Sequence, residues 1–313
     1  MPTWVEDRRH GAGRRCSIAG NTRELSLDAL MHDVTPQNTL VGGYRIAHGV
    51  HGSGEPVVLI HGTPSFAYIW RHVVPALTAA GLQVHAFDLL GYGHSERPVD
   101  PTVDTSVAGQ VAVLTDLMAQ WGLRDAHIVA HDIGGAVAQR LTIFHPERVR
   151  TLTLIDSVSF DSWPSERTRE QMRAGVDSLM KAPDDEHRAH FRAWLETTLY
   201  DSARVSAEVL DAYVDMISGP VGQASLFQHQ VRHYDPDYTN ELTDHLHELG
   251  DRPVQLIWGA NDRWQVIDWA YRLRDAIPGA ALHVLDECGH FAPEDQPQAI
   301  ADHVEAFIAA ARF

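Results

Sequence analysis

The fold of this chain is decided at one stretch of seven residues, Val129-Ala130-His131-Asp132-Ile133-Gly134-Gly135. An apolar run at 126–130 leads into it, and apolar residues with helical spacing follow it as far as Phe144. This pattern predicts a sharp turn from a buried strand into a helix, with Asp132 at the tip of the turn. A turn this tight has space only for small residues two positions before and after its tip, where the chain has Ala130 and Gly134.

The same alternation of strand and helix extends along the chain on both sides of the turn. Apolar runs predict strands at 56–60, 84–90, 126–130, 149–155, 254–258 and 281–285. Helical spacing predicts helices at 70–80, 105–121 and 298–310. Strands that alternate with helices predict an α/β fold, in which a mostly parallel sheet is flanked by helices.

One long segment interrupts this alternation. Residues 157–249 show helical patterning with charged faces and no apolar strand run. We therefore expect one α/β core, residues 41–156 and 250–313, with 157–249 inserted as a helical cap. The cap should cover the carboxyl ends of the strands, where open α/β sheets place their sites. Residues 1–40 show no clear period, and we expect them to form an N-terminal extension.

Composition and charge restrict the partners. The 313 residues include 42 acidic and 25 basic side chains, which give a formal net charge of −17. Such a surface repels phosphate groups, which argues against nucleic acid and against an anionic membrane as partners. Two cysteines provide no disulfide framework, and no apolar run suits a secretory signal or a membrane span. We expect a cytoplasmic protein that acts on a small molecule, with a homodimer left open.

An Asp at the tip of such a turn has two interpretations. It can cap the following helix, or it can act as a nucleophile in place of the Ser that is usual there. A carboxylate needs no base to remove a proton from it, so it suits displacement at a saturated carbon. That reaction forms an ester between the enzyme and its substrate. The motifs around Asp132 favour the nucleophile.

Three motifs carry a resemblance to a known family. His131-Asp132-Ile133-Gly134-Gly135 resembles the Asp-nucleophile branch of the α/β-hydrolases, which holds epoxide hydrolases and haloalkane and fluoroacetate dehalogenases. His61-Gly62-Thr63-Pro64 resembles the superfamily's His-Gly-x-Pro oxyanion loop, and the stretch 88–95 resembles its Asp-x-x-Gly-x-Gly-x-Ser loop. Ser-nucleophile esterases share the last two motifs, so the Asp in the first is the specific signal. The resemblance covers residues 43–313 and implies an α/β-hydrolase fold with Asp132 as nucleophile.

The resemblance also implies a base and an acid. A Gly-His-Phe sequence just beyond the last strand matches the loop of the family's catalytic base, which makes His290 the base. Asp262, after the strand at 254–258, is the first choice for the carboxylate that orients this base. Asp156, at the end of the strand at 149–155, is the alternative. The chain order of nucleophile, acid and His agrees with the fold.

The remaining site predictions concern the oxyanion, the substrate and metals. The family pattern places the two oxyanion-hole N–H groups at Thr63 and Ile133. Side chains beside the motifs or on the cap are expected to contact the substrate: Trp264, Phe291, Phe227, His229 and Tyr234. His229 and His233 are four residues apart but lack a third ligand, so we expect no metal and no cofactor. Histidines beside motif residues are expected to shape loops: His61, His94 and His131.

Two features count against the dehalogenases within this branch. Those enzymes commonly carry Trp after the nucleophile to hold a halide, or Arg to hold a carboxylate, whereas Ile133 has no side-chain donor. Their usual Asn in the His-Gly-x-Pro loop is Thr63 here. Epoxide hydrolases need no halide site. They need acids in the cap, usually two Tyr or in some relatives a His–Tyr pair, to protonate the oxygen of the opening ring.

The sequence does not assign that acid. The cap offers several candidates: Tyr200, Tyr213, Tyr234, Tyr238, His187, His190, His229 and His233. Residues 224–229 lack the Trp-Tyr-Arg pattern common in epoxide hydrolases. The leading interpretation is an enzyme that opens an epoxide to a diol through an ester on Asp132. The alternatives are a dehalogenase using Asp132, His290 and Asp262, and a non-catalytic ligand-binding protein on the same scaffold.

Overall fold

The sheet at the centre of the protein has eight strands. The computed structural model describes residues 33–311. Its strands are β1 (Gln37–Val41), β2 (Tyr44–Gly52), β3 (Glu55–Ile60), β4 (Leu82–Phe87), β5 (Ala126–His131), β6 (Val149–Ile155), β7 (Val254–Gly259) and β8 (Ala281–Leu285). Their order is β1-β2-β4-β3-β5-β6-β7-β8. β2 is antiparallel to both neighbours, and the other neighbouring pairs are parallel. The predicted α/β class is confirmed.

The helices alternate with the strands of this sheet. The α-helices of the described residues are α1 (Val73–Ala79), α2 (Val107–Gln120), α3 (Ile133–Phe144), α4 (Glu166–Ala174), α5 (Asp184–Glu196), α6 (Ala207–Met216), α7 (Gly219–Ser225), α8 (Asp237–Asn240), α9 (Ile267–Ala276), α10 (Ala292–Asp295) and α11 (Pro297–Ala310). A π-helical turn at Leu226–Gln230 follows α7, and several short 3₁₀ turns join the other elements.

Two apolar layers hold the helices against the sheet. α2 and α3 pack on one face through residues such as Leu114 and Leu141, and α1 and α11 pack on the other through residues such as Leu77 and Val304. β5 and β7 are buried along their whole lengths. A central parallel strand faces helices on both sides, which explains why these strands read as continuous apolar runs.

The chain between β6 and β7 contains helices only. α4 to α8 and the π-helical turn lie in this stretch, and residues 157–253, all of which the structure describes, form no strand. At the other end, residues 1–32 of the predicted N-terminal extension lie outside the described residues. The sheet itself begins at Gln37, four residues before the predicted start of the core. β1 is an edge strand with mostly exposed or half-exposed residues, so it lacks the apolar pattern that would reveal it.

Candidate active site

Four loops meet at the carboxyl edge of the parallel strands. Thr63 lies beyond the end of β3, and Asp132 follows β5 directly. Asp262 lies in the loop after β7, and His290 lies in the loop after β8. Parallel strands end at the same edge of a sheet, so residues far apart in the chain come together there.

Asp132 sits on a strained turn between β5 and α3. Its backbone has φ 53° and ψ −123°, a conformation that non-glycine residues rarely adopt. The surrounding backbone is too close for larger residues: a Cβ on Gly134 would lie 2.5 Å from the carbonyl oxygen of His61. A Cβ on Gly62 would lie 2.5 Å from the Cβ of Asp132. The small residues in both motifs are therefore required by the way the two loops meet.

The structure brings Asp132, His290 and Asp262 together. Nε2 of His290 lies 3.6 Å from Oδ1 of Asp132, and Nδ1 of His290 lies 2.9 Å from Oδ2 of Asp262. All three side chains are buried. A histidine held between two carboxylates in this way can move protons at the first carboxylate while the second fixes its ring.

Backbone groups orient the Asp262 carboxylate. Its Oδ1 accepts the N–H groups of Trp264 (2.7 Å) and Gln265 (2.9 Å), which leaves Oδ2 for His290. Asp156, the alternative acid, is also buried at this edge, but its Oδ1 accepts the N–H of Gly259 at 2.8 Å. The geometry thus gives Asp262 the contact with Nδ1.

One N–H group of the predicted oxyanion hole is already engaged with Asp132. The backbone N–H of Thr63 donates to Oδ2 of Asp132 at 2.7 Å. Ile133, which carries the second predicted N–H, is the first residue of α3 and lies directly after Asp132. The two carboxylate oxygens are therefore distinct, since Oδ2 is held by the backbone and Oδ1 faces His290.

The charges of this cluster depend on one another. Burial by itself lowers the pKa of His290, but Asp262 and Asp132 outweigh that effect and raise the pKa well above its ordinary value. Burial raises the pKa of Asp132, but the neighbouring His290 and the Thr63 N–H hold it below its ordinary value. At neutral pH we therefore expect Asp132 to be ionised and His290 to be protonated.

Two further histidines bind the backbone of these loops. His61 accepts the N–H of Leu89 at Nε2 (2.9 Å), so its proton lies on Nδ1, which donates to the Gly62 carbonyl (2.8 Å). Nε2 of His131 lies 2.8 Å from the carbonyl oxygen of His290. Burial lowers the pKa of both His61 and His131 to about 4, so both rings are neutral. Their contacts suit the predicted loop-shaping role.

A cavity reaches Asp132 and His290 from between the core loops and the helical segment. Its aromatic lining consists of Trp163, Phe191, Trp194, Phe227, Tyr234 and Trp264. Its polar lining includes Ser162, Ser165, Thr168, Gln171, His190 and Gln265. Among the described lining residues there is no Lys, Arg or Glu, and the one Asp is Asp132. The cavity therefore suits an uncharged molecule with apolar substituents.

Three of the five predicted substrate contacts line this cavity and two do not. Phe227, Tyr234 and Trp264 are part of the lining. Phe291 instead packs behind the site, with its ring centroid 5.5 Å from that of Tyr213. His229 points towards the core, where its Nε2 lies 2.5 Å from the Pro98 carbonyl oxygen. Both predictions are corrected, because closeness in sequence to a motif or to the cap does not tell which way a side chain points.

Several cavity residues were missed from the sequence. Trp163, Phe191 and Trp194 lie in or beside helices of the segment between β6 and β7, and they belong to no motif. Nothing in the sequence except their aromatic character sets these residues apart. Their position at the cavity depends on how these helices pack, which a local pattern does not contain.

Tyr234, in the segment between β6 and β7, lines the cavity beside Thr63. Its hydroxyl bonds to the hydroxyl of Thr63, and the Tyr92 hydroxyl joins the same group. Its ring packs on Trp163, with centroids 4.8 Å apart. Burial raises the pKa of Tyr234 above its ordinary value, so the hydroxyl keeps its proton.

The other cap tyrosines lie elsewhere. Tyr213 bonds to Glu294, Tyr238 lies beside Arg140, and Tyr200 is exposed next to Arg204. None of these three lines the cavity. Of the four tyrosines named from the sequence, Tyr234 is thus the one placed to give a proton to a bound molecule.

The described residues contain neither a metal-binding cluster nor a membrane-spanning helix. Within residues 33–311 no three His, Cys, Asp or Glu side chains are grouped so as to hold a metal ion. No helix within that range combines the length and apolar character needed to cross a bilayer.

Comparison with known proteins places the chain among hydrolases. The family model for the alpha/beta hydrolase fold matches residues 55–297, which confirms the resemblance to the α/β-hydrolase superfamily. A 2-hydroxymuconate semialdehyde hydrolase of Pseudomonas putida is 31% identical over 284 residues, 87% of this chain and 93% of that protein. A soluble epoxide hydrolase of Corynebacterium sp. (strain C12) is 29% identical over 296 residues, 90% of this chain and 99% of that protein.

The solved structures agree on the fold. The epoxide hydrolase CorEH, solved without ligand, superimposes with a TM-score of 0.75 at 26% identity, over 88% of this chain and 99% of that one. Hydrolases of different chemistry are thus about equally similar to this chain. The choice between their reactions depends on the residues of the site itself.

Proposed function

We propose an epoxide hydrolase activity for this chain from one premise: the chain belongs to the α/β-hydrolase-fold family. The observation that carries the proposal is the buried Asp132 carboxylate at the turn after β5. Its Oδ2 accepts the Thr63 N–H, while its Oδ1 faces His290 and the cavity. A carboxylate in this place suits attack on a saturated carbon better than attack on an ester, because it is a weak acyl nucleophile.

The first step opens the ring. Oδ1 of Asp132 attacks one epoxide carbon, the bond from that carbon to the ring oxygen breaks, and the oxygen takes a proton from Tyr234. The product is a hydroxyalkyl ester on Asp132. The step consumes the negative charge of Asp132, so His290 loses one of the two carboxylates that raise its pKa. His290 can then release its proton, which returns to the Tyr234 phenolate and leaves Tyr234 and His290 both neutral.

The second step hydrolyses the ester. Neutral His290 removes a proton from water, and the water oxygen attacks Cγ of Asp132. The negative charge forms on Oδ2, which the Thr63 N–H already holds and the Ile133 N–H is expected to share. The bond from Cγ to Oδ1 breaks, the diol leaves with Oδ1, and the proton on His290 goes to it. The new carboxyl proton passes to His290, which restores the starting charges.

The cavity favours a particular kind of epoxide. Its described lining combines aromatic and uncharged polar side chains and, apart from Asp132, contains no Asp, Glu, Lys or Arg. The charge of His290 is already shared by Asp132 and Asp262, so a carboxylated epoxide would add a negative charge with no Lys or Arg to offset it. We therefore propose an uncharged epoxide with an aryl or other apolar substituent as the substrate.

The dehalogenase alternative has weaker support. Ile133 offers no side-chain donor to a leaving halide. The indole N–H of Trp264, which lies at the cavity, donates to Thr197 Oγ1 at 3.2 Å and is therefore engaged. A halide would have to find its donors among the uncharged polar side chains of the lining.

A direct assay tests the proposal. Purified protein is given styrene oxide, a carboxylated epoxide and 1-bromohexane, with diol and bromide measured separately. We expect the diol from styrene oxide, little from the charged epoxide and no bromide. Bromide release without diol would make the protein a dehalogenase. Binding of these compounds without turnover would favour the non-catalytic interpretation.

A further inference from the structure

Asp156 is a buried carboxyl group that the two steps above do not use. It follows β6 directly, has φ 42° and is fully buried. Its N–H donates to the Ile257 carbonyl (3.1 Å), and its Oδ1 accepts the Gly259 N–H (2.8 Å). These bonds aim the side chain towards the loop that carries Asp262.

The second oxygen of Asp156 lacks a hydrogen-bond donor among the side chains and backbone groups that the structure describes. Oδ2 is buried there without a partner, and the neighbour of this carboxyl is the carboxyl of Asp262. Asp262 itself is occupied by two backbone N–H groups on Oδ1 and by His290 on Oδ2. Two ionised carboxylates cannot bond to each other, so the contact is favourable only if one of them carries a proton.

The surroundings decide which of the two is protonated. Asp262 accepts three hydrogen bonds, one of them from His290, so both of its oxygens already act as acceptors. Asp156 accepts one. Burial raises the pKa of Asp156 well above its ordinary value, and the charge of Asp262 raises it further.

We propose that Asp156 is a protonated positioning residue, which donates a hydrogen bond from Oδ2 to the Asp262 carboxylate and thereby holds that carboxylate against Nδ1 of His290. The role rests on the functions proposed above for Asp262 and His290. It differs from the alternative in which Asp156 is itself the orienting carboxylate. A neutral Asp156 also keeps a third negative charge away from His290, which must lose its proton before water can attack.

Two substitutions distinguish these roles. In Asp156→Asn the amide oxygen can still accept the Gly259 N–H, and the amide N–H can donate to Asp262 at any pH. The leucine in Asp156→Leu is of similar size to the aspartate but can form neither of these hydrogen bonds. We expect Asp156→Asn to keep kcat within about threefold and Asp156→Leu to lower it about 10- to 100-fold with little change in KM, as for other outer partners of a catalytic histidine.

The pH profile provides a second readout. Deprotonation of Asp156 at alkaline pH turns a donor into a repelling charge, so the wild-type kcat should fall as the pH rises through that pKa. Asp156→Asn cannot ionise, so its profile should extend to higher pH. An identical alkaline limb in the two proteins would overturn the proposal. A loss in Asp156→Asn as large as that in Asp262→Asn would also overturn it and would make Asp156 the acid.

A spectroscopic measurement separates this proposal from the proposed function. The proton on Nδ1 of His290, held by Asp262, should give a far-downfield proton NMR signal without any substrate. We expect the signal in the wild type and in Asp156→Asn, and its shift or loss in a folded Asp156→Leu. If no epoxide is turned over, this signal still tests the carboxyl pair. An unchanged signal in folded Asp156→Leu would contradict the proposed hydrogen bond from Asp156 to Asp262.

Discussion

The loops at the carboxyl ends of the strands and the helical segment between β6 and β7 both line the cavity, but they are held in different ways. Backbone groups fix the loops, as where the Thr63 N–H binds Asp132. Ring packing holds the cavity wall of the helical segment, as where Trp194 meets Trp264 with centroids 5.2 Å apart. Hydrogen bonds to the backbone fix the positions of the bonded atoms closely, whereas aromatic packing tolerates substitution by side chains of similar shape. We infer that the loops carry most of the chemistry, and that the segment selects the substrate and supplies one proton donor, Tyr234.

The largest effect should come from the nucleophile in the loops. Asp132→Ala removes the attacking oxygen, and we expect kcat/KM on an epoxide to fall about 10⁴-fold or more with the fold intact. Alanine is preferred to Asn, which can deamidate back to Asp. Asp116→Ala, an exposed Asp on α2, is the matched control and should keep full activity. Near-normal activity in a folded Asp132→Ala protein would refute the assignment of Asp132 as the nucleophile.

The second largest effect should come from replacing Asp262, the acid that orients His290. Asp262→Asn keeps the shape of the side chain but removes the charge that holds His290 in its orientation. We expect kcat to fall about 10³- to 10⁴-fold. The comparison with Asp156→Asn ranks the two buried carboxyl groups. The reverse ranking would move the acid to Asp156.

The helical segment should contribute a smaller chemical effect through one side chain. Tyr234→Phe removes the proton donor for the ring oxygen, and we expect kcat on an epoxide to fall about 10²-fold. A halide needs no proton as it leaves, so any activity on a bromoalkane should be unaffected. Tyr238→Phe, outside the cavity, serves as control. Equal losses in the two variants would place the donor elsewhere and restrict the helical segment to binding.

The smallest effect concerns stability in acid. The pKa of His61 and of His131 is about 4 in the folded protein, against about 6.5 when unfolded. As the pH is lowered, these histidines therefore bind protons in the unfolded chain before they do so in the folded protein. Their contribution to the free energy of unfolding is thus fully present above about pH 6.5 and is lost as the pH drops towards about 4. Each histidine should contribute up to about 3 kcal/mol to this loss. Urea unfolding of the wild type between these pH values measures this loss.

The same division between loops and helices separates what the sequence could predict from what it could not. The turn at Asp132 was predictable because its geometry demands small residues at fixed offsets, and those residues are visible in the chain. Thr63, Asp262 and His290 follow strand ends in motifs of the same kind, and the structure brings them to Asp132.

The cavity wall was less predictable. His229 lies on the π-helical turn, and its ring direction depends on the bond to Pro98 across the fold. Trp163 and Trp194 reach the cavity through helix packing, which leaves no local signal in the sequence. Tyr234 was already expected to contact the substrate, but only its tertiary contacts favour it over the other three tyrosines as the proton donor.

The central claim, that Asp132 attacks carbon and His290 is needed only afterwards, is tested most directly by mass spectrometry of His290→Gln incubated with an epoxide that the wild type hydrolyses. The account predicts that this enzyme stops at the ester. The peptide that contains Asp132 should gain the whole mass of the epoxide, and the double variant Asp132→Ala, His290→Gln should gain nothing. Absence of both turnover and mass gain in His290→Gln would contradict covalent catalysis by Asp132.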